Sequence, residues 1–231
     1  PGPDALVVAA GNRILFALPW GERVILGTTD TDYDGPLESP TCTDVDMDYV
    51  LGITNATFPG ALITDADVIS TWAGLSPLVA DTNGRPSDIS RRHEITSPEP
   101  GWWDVTGGKL TTYRAMAEET VNHLTRASCR TADEPLLTEG ELHAAYALDG
   151  SARAVINGVL PPPISRELVE HYCRDEWAEH LDDVMTRRTG WRYYHRDADT
   201  IADRVASWMA EALNWSISRR ADEVSAYLAS P

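Results

Sequence analysis

The spacing of apolar residues shifts from mainly strand-like to helical at the glycine pair Gly107-Gly108, and that change restricts the fold more than any other feature. N-terminal to the pair, apolar residues fall in short runs of strand formers bounded by turn residues. Residues 13–19, RILFALP, and 23–29, RVILGTT, are two such runs, and Gly21-Glu22 between them predicts a tight hairpin. Residues 66–73, ADVISTWA, read as another strand, and 89–95 and 102–106 as short ones, with 81–88, DTNGRPSD, as a polar loop. One helix interrupts this region. Over 44–57, Met47, Val50, Leu51 and Thr54 recur at helical spacing, Asp44 suits the N-cap, and Pro59-Gly60 closes the segment.

C-terminal to the pair the period is helical. From Thr111 onward, Met116, Val121 and Leu124 share one side, and 141–157 predicts a second helix. Pro161, Pro162 and Pro163 interrupt the chain. Ser165 then caps a long helix expected over 166–188, with Leu168, Tyr172, Leu181 and Val184 on its apolar side, Trp177 nearby, and Gly190 as its stop. Two more helices are expected near 198–214 and 218–229. A β-rich portion followed by a helical one places the chain in the α+β class. The expected division is 1–106, 107–127 and 128–231.

Composition narrows the function classes. The formal net charge is −17, so nucleic acid and anionic lipid are poor partners. No apolar run approaches the ~18 residues of a membrane-spanning helix. The first residues, PGPDALVVAAGNRILF, lack the layout of a signal peptide and enter a strand pattern at once, as in a truncated chain or one half of a split protein. Cys42, Cys129 and Cys173 lie far apart with no CxxC pair, which argues against a zinc or iron–sulfur site and for small buried hydrophobes in a reducing compartment. Of 19 basic residues the only lysine is Lys109.

That lysine sits in Thr106-Gly107-Gly108-Lys109-Leu110-Thr111-Thr112-Tyr113-Arg114, between a strand and an amphipathic helix. Two glycines let the backbone turn sharply and approach a ligand closely. The helix start presents unpaired N–H groups and partial positive charge, Thr111 and Thr112 can cap it, and Lys109 adds a full charge. Such a junction can take an anion or electron-rich carbonyls.

GGKLTTYR followed by MAEETV resembles the flavin-contacting segment of FAD-dependent glycerol-3-phosphate dehydrogenases. FALPWGERVILGTTDTDYDG resembles that family's strand–turn–strand, ITDADVISTWAGLSPLV the segment usually written G-[VL]-R-P-L, DISRRHEI its I-S/T-R strand, and DEWAEHLDDVMTRRTG a helix of its C-terminal domain. The resemblance covers essentially the whole chain and belongs to the D-amino-acid-oxidase-like flavoprotein superfamily. It implies that 1–106 is part of a β-rich substrate or cap domain, 107–127 the flavin-contacting turn and helix, and 128–231 a helical C-terminal domain. It implies FAD as cofactor, with Gly107, Gly108, Lys109, Leu110 and Thr111 on the flavin side. It implies glycerol 3-phosphate as substrate, held by Arg91 and Lys109, dihydroxyacetone phosphate as product, and a quinone or another carrier as electron acceptor. A place in the cytoplasm, peripheral on the inner face of the cell membrane, and a homo-oligomer are further expectations.

Two departures stand out. The arginine of G-[VL]-R-P-L is Ser76 here, a neutral hydroxyl where the family has a phosphate clamp, at an expected cost of ~2–4 kcal/mol in substrate binding unless Arg85 substitutes. No GxGxxG follows a strand, so an N-terminal FAD-binding half, in the same or a separate chain, must hold the adenosine pyrophosphate. His93 is a candidate general base. Two rival expectations remain: a flavin-subunit segment of the anaerobic multi-subunit enzyme, and a non-catalytic remnant or interaction module.

Overall fold

A computed structural model describes residues 4–10, 13–76, 93–126 and 160–230. It divides into two compact units, one made of Pro1–Gly74 with Thr138–Pro231 and the other of Leu75–Leu137. Strands and helices coexist, with most of the helices toward the C-terminus, so the class is α+β.

In the first unit, strands β1 (Leu6–Ala10), β2 (Arg13–Trp20) and β3 (Arg23–Gly27) form an antiparallel sheet in the order β1-β2-β3. The Gly21-Glu22 turn joins β2 to β3, as the sequence predicts. Helix α1 runs over Asp44–Thr57. Its N-cap is Thr43, one residue before the expected Asp44, because Thr43 and Asp46 cap each other reciprocally. The Thr43 hydroxyl, 2.7 Å away, holds the Asp46 carboxyl below the usual carboxylate range against the opposing effect of burial, and Thr31 adds a bond that ties the segment after β3 to α1. Past α1, Asn55 exchanges two 2.8 Å hydrogen bonds with the backbone of Ile63 and turns the chain back.

The strand expected over 66–73 is not present. Asp65–Asp67 is a 3-10 turn and 68–76 has no regular structure. The Asp67 carboxylate accepts from the Thr64 amide and hydroxyl at 2.8 and 2.9 Å, a local closure that competes with strand pairing.

The helical part of this unit contains α3 (Arg166–Asp175), a π-helical turn (Asp183–Arg188), α4 (Trp191–Tyr194), α5 (Ala198–Leu213) and α6 (Ile217–Ala229); α2 (Tyr113–Thr125) belongs to the other unit. Ser165 caps α3, accepting from the Leu168 amide at 3.2 Å. The single helix expected over 166–188 is broken. Trp177 is left-handed and exposed rather than near the apolar side. The amides of Glu179 and His180 donate to Asp183, and that of Leu181 to Glu223, so carboxylates cap a new helical start there. Leu168, Tyr172, Leu181 and Val184 are nevertheless all buried, in one core with Val205, Met209 and the fully enclosed Trp191, whose indole N–H donates to the Pro162 carbonyl at 2.7 Å. Cys173 belongs to this core, and burial pushes its thiol up to about 11, as suits a packed hydrophobe.

The segment Trp191–Arg196 ties sheet to helices. Trp20 meets the Tyr194 ring edge-on at 5.0 Å, Arg23 lies over the same ring, and the Glu22 amide donates to the Tyr194 hydroxyl at 3.3 Å. Ser70 donates to the Tyr193 carbonyl at 2.7 Å, and Arg196 donates to the carbonyls of Ala66 and Asp67. The expected loop 81–88 and helix 141–157 lie outside the described residues, as does Cys129.

Candidate functional site

The second unit holds the diglycine. Strands β4 (Glu94–Thr96) and β5 (Asp104–Thr106) pair antiparallel, Ile95 opposite Val105. The connection closes on itself through Ser97, whose hydroxyl donates to the Trp102 carbonyl at 2.9 Å, and through the Trp102 indole, which donates to Asp104 at 2.8 Å. Directly after β5 the backbone becomes left-handed at two successive residues, Gly107 at φ 71° and Gly108 at φ 82°. Lys109 returns to extended geometry, Leu110–Thr112 makes a 3-10 turn, and α2 runs over Tyr113–Thr125.

Only glycine fits this turn. The left-handed region disfavours any residue with a Cβ. A Cβ on Gly108 would also lie 2.5 Å from the Met116 sulfur and 3.2 Å from the His93 Cβ. Met116 and His93 therefore form the back wall. The wall is fastened to α2 by a 2.8 Å contact from His93 Nε2 to the Glu119 carboxylate, and Trp103 meets the His123 ring at 5.9 Å. His93 thus has a structural partner on α2 that its candidacy as a general base did not anticipate.

The front is open. Lys109, Thr111 and Thr112 are exposed, and Leu110 is 89% exposed although it is a large apolar side chain. Thr112 does not cap α2. Its hydroxyl accepts from the Lys109 amide at 3.3 Å and donates to the Lys109 carbonyl at 3.0 Å, fixing the lysine's backbone. The Thr112 and Tyr113 amides already donate to the Lys109 and Leu110 carbonyls, which leaves the exposed Lys109 side chain as the charge at this turn. The helical period from Thr111 is present, but the side carrying Val121 and Leu124 is exposed, and α2 has no buried residue.

Gly107, Gly108, Lys109, Leu110 and Thr111 thus form one contiguous surface of two half-buried glycines followed by exposed residues. Ser76 is exposed on a stretch without regular structure, and Arg91 and Arg85 lie outside the described residues. Met116, His93 and Glu119 as supports were missed. The available signal was the i, i+3 spacing of Met116 and Glu119, which puts both on one side of α2. Among the described residues no group of three or more His, Cys, Asp or Glu could hold a metal ion, and no helix is long and apolar enough to cross a membrane. A surface hollow in the first unit, lined in part by Asp182, Asp183, Arg187, Arg219, Asp222 and Glu223, has both arginines paired, Arg219 with Glu223 at 2.7 Å and Arg187 with Asp182 and Asp183 at 3.0 Å, and keeps an excess of carboxylates.

Residues 1–122, more than half of the chain, match the family model of FAD dependent oxidoreductases. The chain belongs to that family. Residues 141–220 match the model of the C-terminal domain of alpha-glycerophosphate oxidase, so this flavoprotein-family chain carries a second match over its helical part. It is 31% identical to Glycerol-3-phosphate dehydrogenase 2 of Mycobacterium bovis and of Mycobacterium tuberculosis, over 97% of this chain and 45% of each relative. It is 43% identical to Aerobic glycerol-3-phosphate dehydrogenase of Staphylococcus aureus over 111 residues, 48% of this chain and 20% of that one. The chain therefore spans less than half the length of these relatives.

Proposed function

We propose that this chain supplies the flavin-facing and helical portion of an FAD-dependent sn-glycerol-3-phosphate dehydrogenase that forms dihydroxyacetone phosphate. The observation that carries it is the pair of consecutive left-handed glycines opening onto an exposed helix start with the chain's single lysine. The relatives' names support the same substrate.

The residues present fit a flat ring that gains negative charge on reduction. Gly107 and Gly108 let the chain turn tightly against Met116 and His93, and Leu110 offers exposed apolar surface beside the turn. The chemistry that a bound FAD would supply is acceptance of a hydride from C2 of the substrate, with the C2 hydroxyl proton passing to a base. Lys109 stabilises negative charge at the opening, on a backbone that Thr112 fixes and that Met116 and His93 back. Lys109 and Arg91 supply positive charge for the substrate phosphate, and Ser76 contributes a hydroxyl only. Residues 1–106 belong to the substrate-covering part, 107–127 to the flavin-contacting part and 128–231 to the helical domain. A portion carrying the pyrophosphate-binding fingerprint completes the site, and electrons pass on to a quinone or another carrier at the inner face of the cell membrane.

Ser76 favours a second reading, a copy that keeps the flavin but has lost substrate binding. The two separate on one preparation, this chain joined to a flavin-nucleotide-binding portion. Flavin that is bleached by glycerol 3-phosphate supports the dehydrogenase, flavin that is not bleached supports the degenerate copy, and absence of flavin refutes both.

A further inference from the structure

Strand β2 carries apolar side chains on both faces. Leu15 and Ala17 alternate with Ile14, Phe16 and Leu18, and the pairing places Val8 with the first set and Val7 and Ala9 with the second. The first face is covered at its centre, where Val8, Leu15 and Ala17 are buried and Arg13 lies over the Tyr49 ring of α1, while Leu6 and Val24 at its margins are exposed. The second face is open, with Val7, Ile14, Phe16 and Leu18 exposed by 66, 55, 39 and 37%. It carries no charge until Arg23, where Trp20 meets Tyr194. A sheet with one face in water alternates apolar and polar residues, whereas a sheet between two layers reads as an unbroken apolar run. RILFALP is the second kind, yet among the described residues only one layer is present. Strand β1, LVVAA, is also an edge of its sheet among the described residues, and it has none of the charges or prolines that guard solvent-facing edges.

We infer that the open face of Val7, Ile14, Phe16 and Leu18, with the outer edge of β1, is the seam against the flavin-nucleotide-binding portion of a relative-length protein. The inference rests on the proposed function and names the surface that function requires. Two observations select this occupant. The mycobacterial relatives are matched over only 45% of their length, so a protein of that length has a further portion large enough to cover this face. A second copy of this chain is the poorer occupant, because each copy carries a net charge of −17 and the patch has no basic residue to offset the repulsion.

The test uses Phe16→Glu and, separately, Ile14→Lys. Each is made in this chain alone and mixed with the polypeptide encoded in frame with or beside it, produced as a separate chain. Alone, both variants keep the wild-type melting temperature, because the replaced side chains meet water. With the second polypeptide, wild type forms a flavin-containing complex on gel filtration, both variants weaken association by about 100-fold or more, and Val45→Glu on the exposed side of α1 does not. Association that depends on Phe16 but brings no flavin supports the seam and refutes the flavin reading. Variants that associate like wild type overturn the seam, as does a lowered melting temperature of both variants alone, which means that this chain covers the face itself. A dimer of the chain alone that Phe16→Glu dissolves also overturns it, in favour of a second copy.

Discussion

Replacing Gly108 by alanine isolates the physics of the proposed site. The residue sits at φ 82°, where an L-residue pays ~1–2 kcal/mol. The new methyl would lie 2.5 and 2.6 Å from Sδ and Cε of Met116, and 3.2 Å from the His93 Cβ. The thioether can swing aside at ~0.5–1.5 kcal/mol. His93 is anchored through Glu119 and must give by a few tenths of an ångström. The total is about 1.5–3.5 kcal/mol of local stability, or roughly 10- to 400-fold in the opening equilibrium. Gly52→Ala is the control. It lies within α1, with no heavy atom within 4 Å of its added methyl, and should stabilise by ~0.5–1 kcal/mol. Because the chain has two units, one global unfolding curve would blur the effect. Hydrogen exchange of the β4–β5 amides reads Gly108→Ala, and that of α1 amides reads Gly52→Ala. Unchanged β4–β5 protection in Gly108→Ala would refute the claim that glycine is required at this turn.

Lys109→Ala should leave stability within about 0.5 kcal/mol in a urea titration, because the side chain is exposed; a larger loss would mean that the lysine serves the fold instead of a ligand. Trp191→Ala should cost ~3–5 kcal/mol and melt the helical core, read by near-ultraviolet circular dichroism, since the indole is fully enclosed and bonded to Pro162. Burial alone would push the Glu223 carboxyl up, but the Leu181 amide, His180 and Arg219 outweigh it and hold it below the usual carboxylate range. A carboxyl whose folded value is depressed contributes stability above its unfolded pKa of ~4.3, and loses it as pH falls through the folded value. Glu223→Gln should therefore lower the melting temperature at neutral pH and flatten its fall in acid; an unchanged acid limb would show that Glu223 does not drive it.

What the sequence made legible followed from local rules. The β2–β3 hairpin, the Ser165 cap, the stop at Gly190 and helices α5 and α6 each follow from a turn, a capping residue or a period that neighbours do not override. The diglycine turn was legible for the same reason, because few residues other than glycine accept its geometry. The failures came where distant or side-chain bonds won. Apolar spacing runs unbroken through 166–188, and only the carboxylates of Asp183 and Glu223, the latter 42 residues from the amide it accepts, reveal why the helix stops and restarts. The strand expected at 66–73 lost to the Thr64–Asp67 closure and the Arg196 bonds. The aromatic segment Trp191–Arg196, which joins sheet to helices, gave no periodic signal at all. Behind the candidate site, the Met116 wall was hidden because it depends on how α2 folds back over the turn.

Flavin reduction by glycerol 3-phosphate, followed by visible absorbance after joining this chain to a flavin-nucleotide-binding portion, is the most direct measurement. Wild type and Lys109→Ala should bind flavin alike, and the variant's flavin should bleach about 100-fold or more slowly. Equal bleaching rates, or no flavin in the wild-type protein, would contradict a role for the diglycine and its lysine at a cofactor ring.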